Sequence, residues 1–259
     1  MANTVFENKV IEAKAKELLT TEINARNLMT IDTSLVENEG MTKTINVYTY
    51  TGKVEKLADG ANNTTRGSIA YVGTDYKVQR AQQVFDYSDS DFMKDSNCVD
   101  YSLQGANELM VNEMTTDFIA EAQKATEQHE FTGACSYEAI VDAIAKVKME
   151  NETKLFAVLP LDWKADLRKD DDYKLAKMGE VVYSGQVATI CGIPVIYSKA
   201  LEDTGFIMTN EAVKLFMKKD IEVEQDRDIE TKLNTVVLSS YYICALVNNN
   251  KICKLVKTA

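Results

Sequence analysis

One apolar stripe limits what this chain can become. From about residue 100 to residue 128 no proline occurs, and only Gly105 interrupts a helical pattern. Leu103, Ala106, Met110, Met114, Phe118, Ala122 and Ala125 recur at steps of three and four, so they share one face of an α-helix. At 1.5 Å per residue such a helix runs roughly 40 Å. A stripe that long needs a matching apolar surface, which the rest of the chain has to supply. The Met and Ala residues in it read as packed core and not as a binding groove.

Segment 42–88 has the opposite character. Thr44, Ile45, Val47, Tyr48, Thr49 and Tyr50 form a β-branched and aromatic run, as a strand should. A polar tip follows, containing Asp59, Gly60, Asn62, Asn63, Arg66 and Gly67. A return strand then runs through Tyr71, Tyr76, Val78, Val84 and Phe85. This excursion has too few large apolar residues to build its own core, and an isolated two-stranded hairpin is marginal in water. It lies on the rest of the domain or reaches onto another subunit. The segment 5–25 poses the same problem, because Phe6, Val10, Ala13 and Leu18 make only a weakly amphipathic helix.

Beyond the long helix the pattern alternates. Ser136 reads as the N-cap of a second helix reaching about Met149. Residues 155–159 form a continuous apolar run ending at Pro160, which suits a buried strand. A short helix over 162–169 leads to a solvated turn at Asp170, Asp171 and Asp172. Residues 180–184 and 186–190 read as a hairpin around Gly185. Strands follow at 192–197 and 206–208, then a helix over 211–218. Strands at 221–224, 233–247 and 251–256 complete the chain. The fold class is α+β. No internal repeat or Gly/Pro-rich linker divides it.

Composition excludes several functions. The formal charge of −11 opposes ordinary nucleic-acid binding, which draws its affinity from Lys and Arg displacing counterions. A surface this acidic would repel enclosed DNA. The first residues lack a secretory signal, and no apolar run approaches the roughly 20 residues of a membrane span, so the chain reads as soluble and made in the cytoplasm. Cys98, Cys135, Cys191, Cys244 and Cys253 form no CxxC and read as small, buried, reduced hydrophobes. The single histidine, His129, falls in a polar stretch that looks like a helix end and reads as a surface residue, leaving histidine triads and poly-His metal sites little to draw on. The three aspartates lack the spacing of a calcium loop. No P-loop, GxSxG or HExxH motif occurs. Neither enzyme activity nor a cofactor is expected.

The order of parts is arm, long hairpin with a polar tip, one long helix, then a mixed α/β unit. It resembles the major capsid proteins of tailed bacteriophages of the Hong Kong 97 type, over essentially the whole chain. The C-terminal half carries the most specific text. Thr189, Ile190, Cys191, Gly192, Ile193, Pro194, Val195, Ile196, Tyr197 and Ser198 look like the family's G-x-P-V strand after a hairpin. The run from Ala212 through Val223 to Asp228 is similar to its helix-then-strand passage ending in an acidic and Arg turn, and residues 241–247 resemble its late strand.

The resemblance implies an N-terminal arm (1–41), an extended hairpin or E-loop (42–88), a peripheral domain with a spine helix (89–152) and an axial domain (153–204). Strands in 205–259 then complete both domains. It implies a subunit that self-assembles into hexamers and pentamers and forms a phage head shell around DNA without sequence-specific binding. On that reading the tip residues Asp59, Gly60, Asn62, Asn63, Arg66 and Gly67 touch a neighbouring subunit. A separate scaffolding protein, portal and decoration proteins are the expected partners, with no membrane. The chain would be assembled in the host cytoplasm and reside in the virion. Only about forty residues precede the hairpin, so no large fused scaffolding segment is expected. The alternative is an encapsulin-like nanocompartment, with the same fold and a cargo enzyme inside. The family's Lys–Asn cross-link has no assignable position, and Lys53 and Lys56 in the hairpin read as ordinary solvated side chains.

Overall fold

The computed structural model describes residues 25–36, 40–95, 97–147, 149, 152–171 and 189–258. The helix expected over 5–25 and the hairpin over 180–190 lie largely outside those residues. A short helix, α1 (Ala25–Leu28), leads to strand β1 (Thr30–Asp32). Two antiparallel ten-residue strands, β2 (Thr42–Thr51) and β3 (Ser68–Lys77), form a sheet of their own, here called the blade. Val78 ends it. Strand β4 (Gln79–Ser88) then joins a different sheet. The return strand expected as one piece through Phe85 is therefore two, because Val78 is buried and pins the chain to the body. The free hairpin is 42–77, not 42–88.

Helix α2 (Asp89–Lys94) starts at a capping box in which Ser88 and Asp91 satisfy each other's backbone N–H groups. The long helix α3 (Cys98–Ala122) follows. Its buried face is the expected stripe: Leu103, Ala106, Met110, Met114, Phe118 and Ala122. It stops six residues early. Beyond it the Lys254 N–H donates to Glu127 O at 2.9 Å, and strand β5 (Gln128–Thr132) pairs in parallel with the last strand of the chain. Strand pairing outweighs helix propensity there. His129 consequently sits half-buried in a strand and not at a helix end.

Helix α4 (Tyr137–Val147) begins where expected, with the Ala139 N–H donating to Ser136 Oγ at 3.2 Å. Strand β6 (Leu155–Pro160) is buried at every position and precedes helix α5 (Trp163–Lys169). Then come β7 (Thr189–Ile190), β8 (Ile193–Ser198), β9 (Thr204–Thr209), β10 (Val213–Asp228), β11 (Leu233–Leu246) and β12 (Ile252–Thr258). The helix expected over 211–218 is the start of β10. Val213, Leu215 and Met217 enter one core while Phe216 enters the core on the other face, so period two governs a run apolar on both sides.

A four-stranded sheet has the order β1-β10-β11-β4, and a six-stranded sheet the order β5-β12-β9-β6-β8-β7. Helix α3 lies on the first of these. Its N-terminal half packs Leu103 and Ala106 on Val223, Val236 and Leu238. Its C-terminal half packs Met114 and Phe118 among Leu215, Met217 and Cys244, and that core continues to Phe206 and Ile252 of the second sheet. A separate core places α4 and α5 against the six-stranded sheet around Trp163, Leu159 and Ile207.

Candidate intersubunit surface

The blade is fixed at its root and open elsewhere. Ile45 and Tyr76 pack with Leu35, Val78, Phe216 and Ile243 on the outer face of the four-stranded sheet. Lys43 Nζ stands 5.4 Å from the centre of the Phe216 ring, and the Thr44 hydroxyl donates to Asp75 Oδ1 at 2.6 Å. Further out the register pairs Tyr48 with Tyr71 and Tyr50 with Ile69. Alternation puts all four on one face. Each is about two-thirds or more exposed, at 67, 71, 69 and 67% respectively. The Tyr48 and Tyr71 rings are 6.4 Å apart. The four form one exposed, largely aromatic face.

The tip is a shaped loop. Ala61 N–H donates to Ala58 O at 3.0 Å, closing a turn around Asp59 and Gly60, and Gly60 has φ +83°, where glycine alone is unstrained. Asn63 Oδ1 accepts from the Thr65 N–H at 2.8 Å. The Glu55 carboxylate ties the two sides of the loop together by accepting from the Thr65 and Thr64 hydroxyls and from the Thr64 N–H at 3.1 Å. These bonds, the Thr65 hydroxyl first and the Thr64 amide next, hold the Glu55 carboxyl below the usual carboxylate range. Gly67 lies so close to the Tyr50 ring that a Cβ there would meet the Tyr50 side chain and force it to shift. Asp59, Gly60, Asn62, Asn63, Arg66 and Gly67 thus share one loop, and all are exposed.

Two features were missed by the tip assignment. Glu55 organises the loop, yet nothing in its sequence context distinguishes it from any solvated glutamate. The aromatic face was hidden because its four members lie on two strands and become neighbours only once the register is known.

The other candidate residues have structural roles. The Tyr137 N–H donates to Asp170 Oδ2, and the Cys135 N–H to Asp166 Oδ2 at 3.3 Å, so the first of the three aspartates anchors the start of α4 instead of lying in a solvated turn. Asp171 is exposed, and Asp172 lies outside the described residues. Among the described residues no group of His, Cys, Asp and Glu is placed to hold a metal ion, and no helix is long and apolar enough to cross a membrane. Cys135, Cys244 and Cys253 are buried, and burial pushes the Cys135 thiol up to about 12 and the Cys253 thiol up to about 11. Cys191 departs from expectation. It is exposed in the β7–β8 turn at φ +51°, with its Sγ 3.0 Å from the Tyr137 hydroxyl.

No family model and no curated protein matches the chain. Solved structures do. The capsid of the cyanophage P-SCSP1u superposes with a TM-score of 0.72 at 14% identity, over 89% of this chain and 86% of that one. The capsid of a native GTA particle gives a TM-score of 0.69 at 14% identity, over 91% and 90%. This chain has a phage-capsid fold. A virus-like particle from Pyrococcus furiosus is also similar, with a TM-score of 0.66 at 13% identity over 97% of this chain and all of that one. At these identities the likeness is one of fold.

Proposed function

We propose that this chain is a major capsid protein that self-assembles into a phage head shell enclosing the DNA genome, and that it catalyses no reaction. The observation that carries this reading is the blade, an aromatic two-stranded sheet that the described residues of the subunit leave uncovered. A shell supplies the missing cover from neighbouring copies. The capsid fold supports it, because the three similar structures named above come from two capsids and a virus-like particle.

In this reading the blade (42–77) is the extended hairpin. Helix α3 and the four-stranded sheet form the peripheral domain, and α5 and the six-stranded sheet form the axial domain, meeting its copies in pentamers and hexamers; β5 and α4, expected within the peripheral span 89–152, are grouped with the axial domain because they pack with that sheet. The tip residues Asp59, Gly60, Asn62, Asn63, Arg66 and Gly67 reach a neighbour. A scaffolding protein, a portal and decoration proteins are the partners, assembly is in the host cytoplasm, and the acidic surface keeps enclosed DNA unbound.

Size-exclusion chromatography with negative-stain microscopy tests this directly. Closed particles are expected, and removal of residues 60–67 should leave a soluble subunit that fails to assemble. A stable 29.0 kDa monomer at high concentration with phage partner proteins present would contradict the reading. DNA inside purified particles identifies a virion, and a co-purifying enzyme instead identifies a nanocompartment.

A further inference from the structure

Three carboxylates stand in a column on α3. Glu113, Asp117 and Glu121 follow one another at four-residue steps, so they line one face of the helix. From Asp95 to Gln123 the chain has no Lys or Arg to balance them. Glu113 is exposed, whereas Asp117 and Glu121 are half-buried. Lys124 closes the end of the column with its Nζ 2.5 Å from Glu121 Oε1, while Glu121 Oε2 is buried without a hydrogen-bond partner. Asp117 meets no cation among the described residues. It faces the Tyr242 hydroxyl, which belongs to a side chain 3% exposed and is likewise unpartnered. A half-buried carboxylate between like charges is costly when ionised, and a proton is the counter-charge that fits beside Tyr242.

The column lies at the junction of blade and body. Tyr242 pairs in register with Gln79, the first residue of β4, directly after Val78 where the blade ends. One turn along, the Tyr76 hydroxyl of β3 faces Glu121, and Lys124 Nζ stands 5.8 Å from the centre of the Tyr76 ring. The carboxylates therefore touch the body through Tyr242 and the blade through Tyr76. The other elements packed on α3 bring no competing charge. Helix α1 offers Arg26, which Asp220 of β10 holds at 3.4 Å, and β4 offers Ala81 and Phe85. Cys244 of β11 also faces Asp117, as a thiol kept neutral by burial.

We propose that this column is a proton-operated latch on the blade: with Asp117 protonated the Tyr76 end of the blade is seated on α3, and loss of that proton lifts it. Ionised Asp117 and Glu121 stand one turn apart with Lys124 as their shared cation, and moving Tyr76 off Glu121 lets water reach both. The latch belongs to the single subunit and goes beyond the shell reading, which it neither needs nor supports.

The reporter is the Val78 amide at the junction, which donates to Met41 O at 2.7 Å. Its exchange is followed in the free subunit as protection relative to an unstructured chain, with the β6 amides as the reference for global stability. Protection should be greatest in mild acid and should fall as pH rises through the Asp117 titration, which lies above the ordinary 3.8. Asp117→Asn is uncharged and nearly isosteric, so it should keep the acid level at pH 7, roughly tenfold above the wild type. Glu113→Gln, on the exposed flank, should move the midpoint to lower pH by removing one neighbouring negative charge. Val78 protection that stays flat in the wild type from about pH 4 to pH 7, or that titrates unchanged in Asp117→Asn, would overturn the latch and leave the shell reading standing.

Discussion

Strands β6 and β2 make opposite use of similar residues. Every residue of β6 is buried, its side chains divided between the core around Trp163 and Leu167 of α5 and the core that holds Met114 and Phe118 of α3. Strand β2 buries Ile45 at its root and then presents Tyr48 and Tyr50 to solvent. The six-stranded sheet closes its own core, whereas in the shell reading proposed above the blade is half of a core that a neighbouring copy completes. Stability of the subunit should therefore reside in the first region and assembly in the second.

Substitutions can break that division, and the largest effect is expected at Trp163. It is 1% exposed and meets Phe131 edge-on, with ring centres 5.1 Å apart. Trp163→Ala should cost about 3–5 kcal/mol in denaturant unfolding, while Tyr71→Ser on the blade should cost under about 0.5 kcal/mol in the free subunit. Equal losses would end the distinction. Next comes Gly205, where a Cβ would stand 2.8 Å from the Trp163 ring and 2.9 Å from Leu159. Gly205→Ala should destabilise by about 1–3 kcal/mol through overpacking, with a lowered melting temperature as the readout.

Two carboxylates sharpen the comparison with opposite pH signs. Asp117 on α3 is half-buried, and desolvation raises its pKa above the ordinary 3.8. The Tyr242 hydroxyl faces it without closing an aligned hydrogen bond, and Glu113 and Glu121 stand one turn to either side. A raised carboxyl pKa means the folded state holds the proton more tightly, so this contribution is present at low pH and is lost as pH rises through the raised value. Asp117→Asn should accordingly raise the melting temperature at pH 7, by about 1 °C. Glu55 has a depressed pKa, so its contribution is complete above the ordinary 4.5 and is lost as pH falls through the lowered value. Exchange protection of the Thr64 amide should therefore persist from pH 7 to below 4.5 in the wild type and vanish only as pH falls through the lowered value. In Glu55→Gln it should be weak at every pH.

The legible parts of the fold were those in which one period dominates. The α3 stripe, the capped start of α4 and the all-apolar β6 follow from spacing and capping chemistry alone. The errors fall where tertiary pairing decides. Residues 128–132 become a strand because β12 lies beside them, and 213–217 become a strand because both of their faces meet a core. The excursion's existence and polar tip were visible, but its limit at Val78 was not, since β3 and β4 read as one continuous run. At the candidate surface, exposed glycines and asparagines could be found from turn chemistry. The aromatic face could not, because the Tyr48–Tyr71 neighbourhood exists only in the folded register.

Hydrogen exchange on the free subunit and on purified particles tests the central claim most directly. The blade amides of residues 42–51 and 68–77 should be weakly protected in the subunit and strongly protected in the particle, while those of β6 and β9 should be protected alike in both. Blade protection that does not change on assembly would contradict the claim that neighbouring copies complete this half of the core.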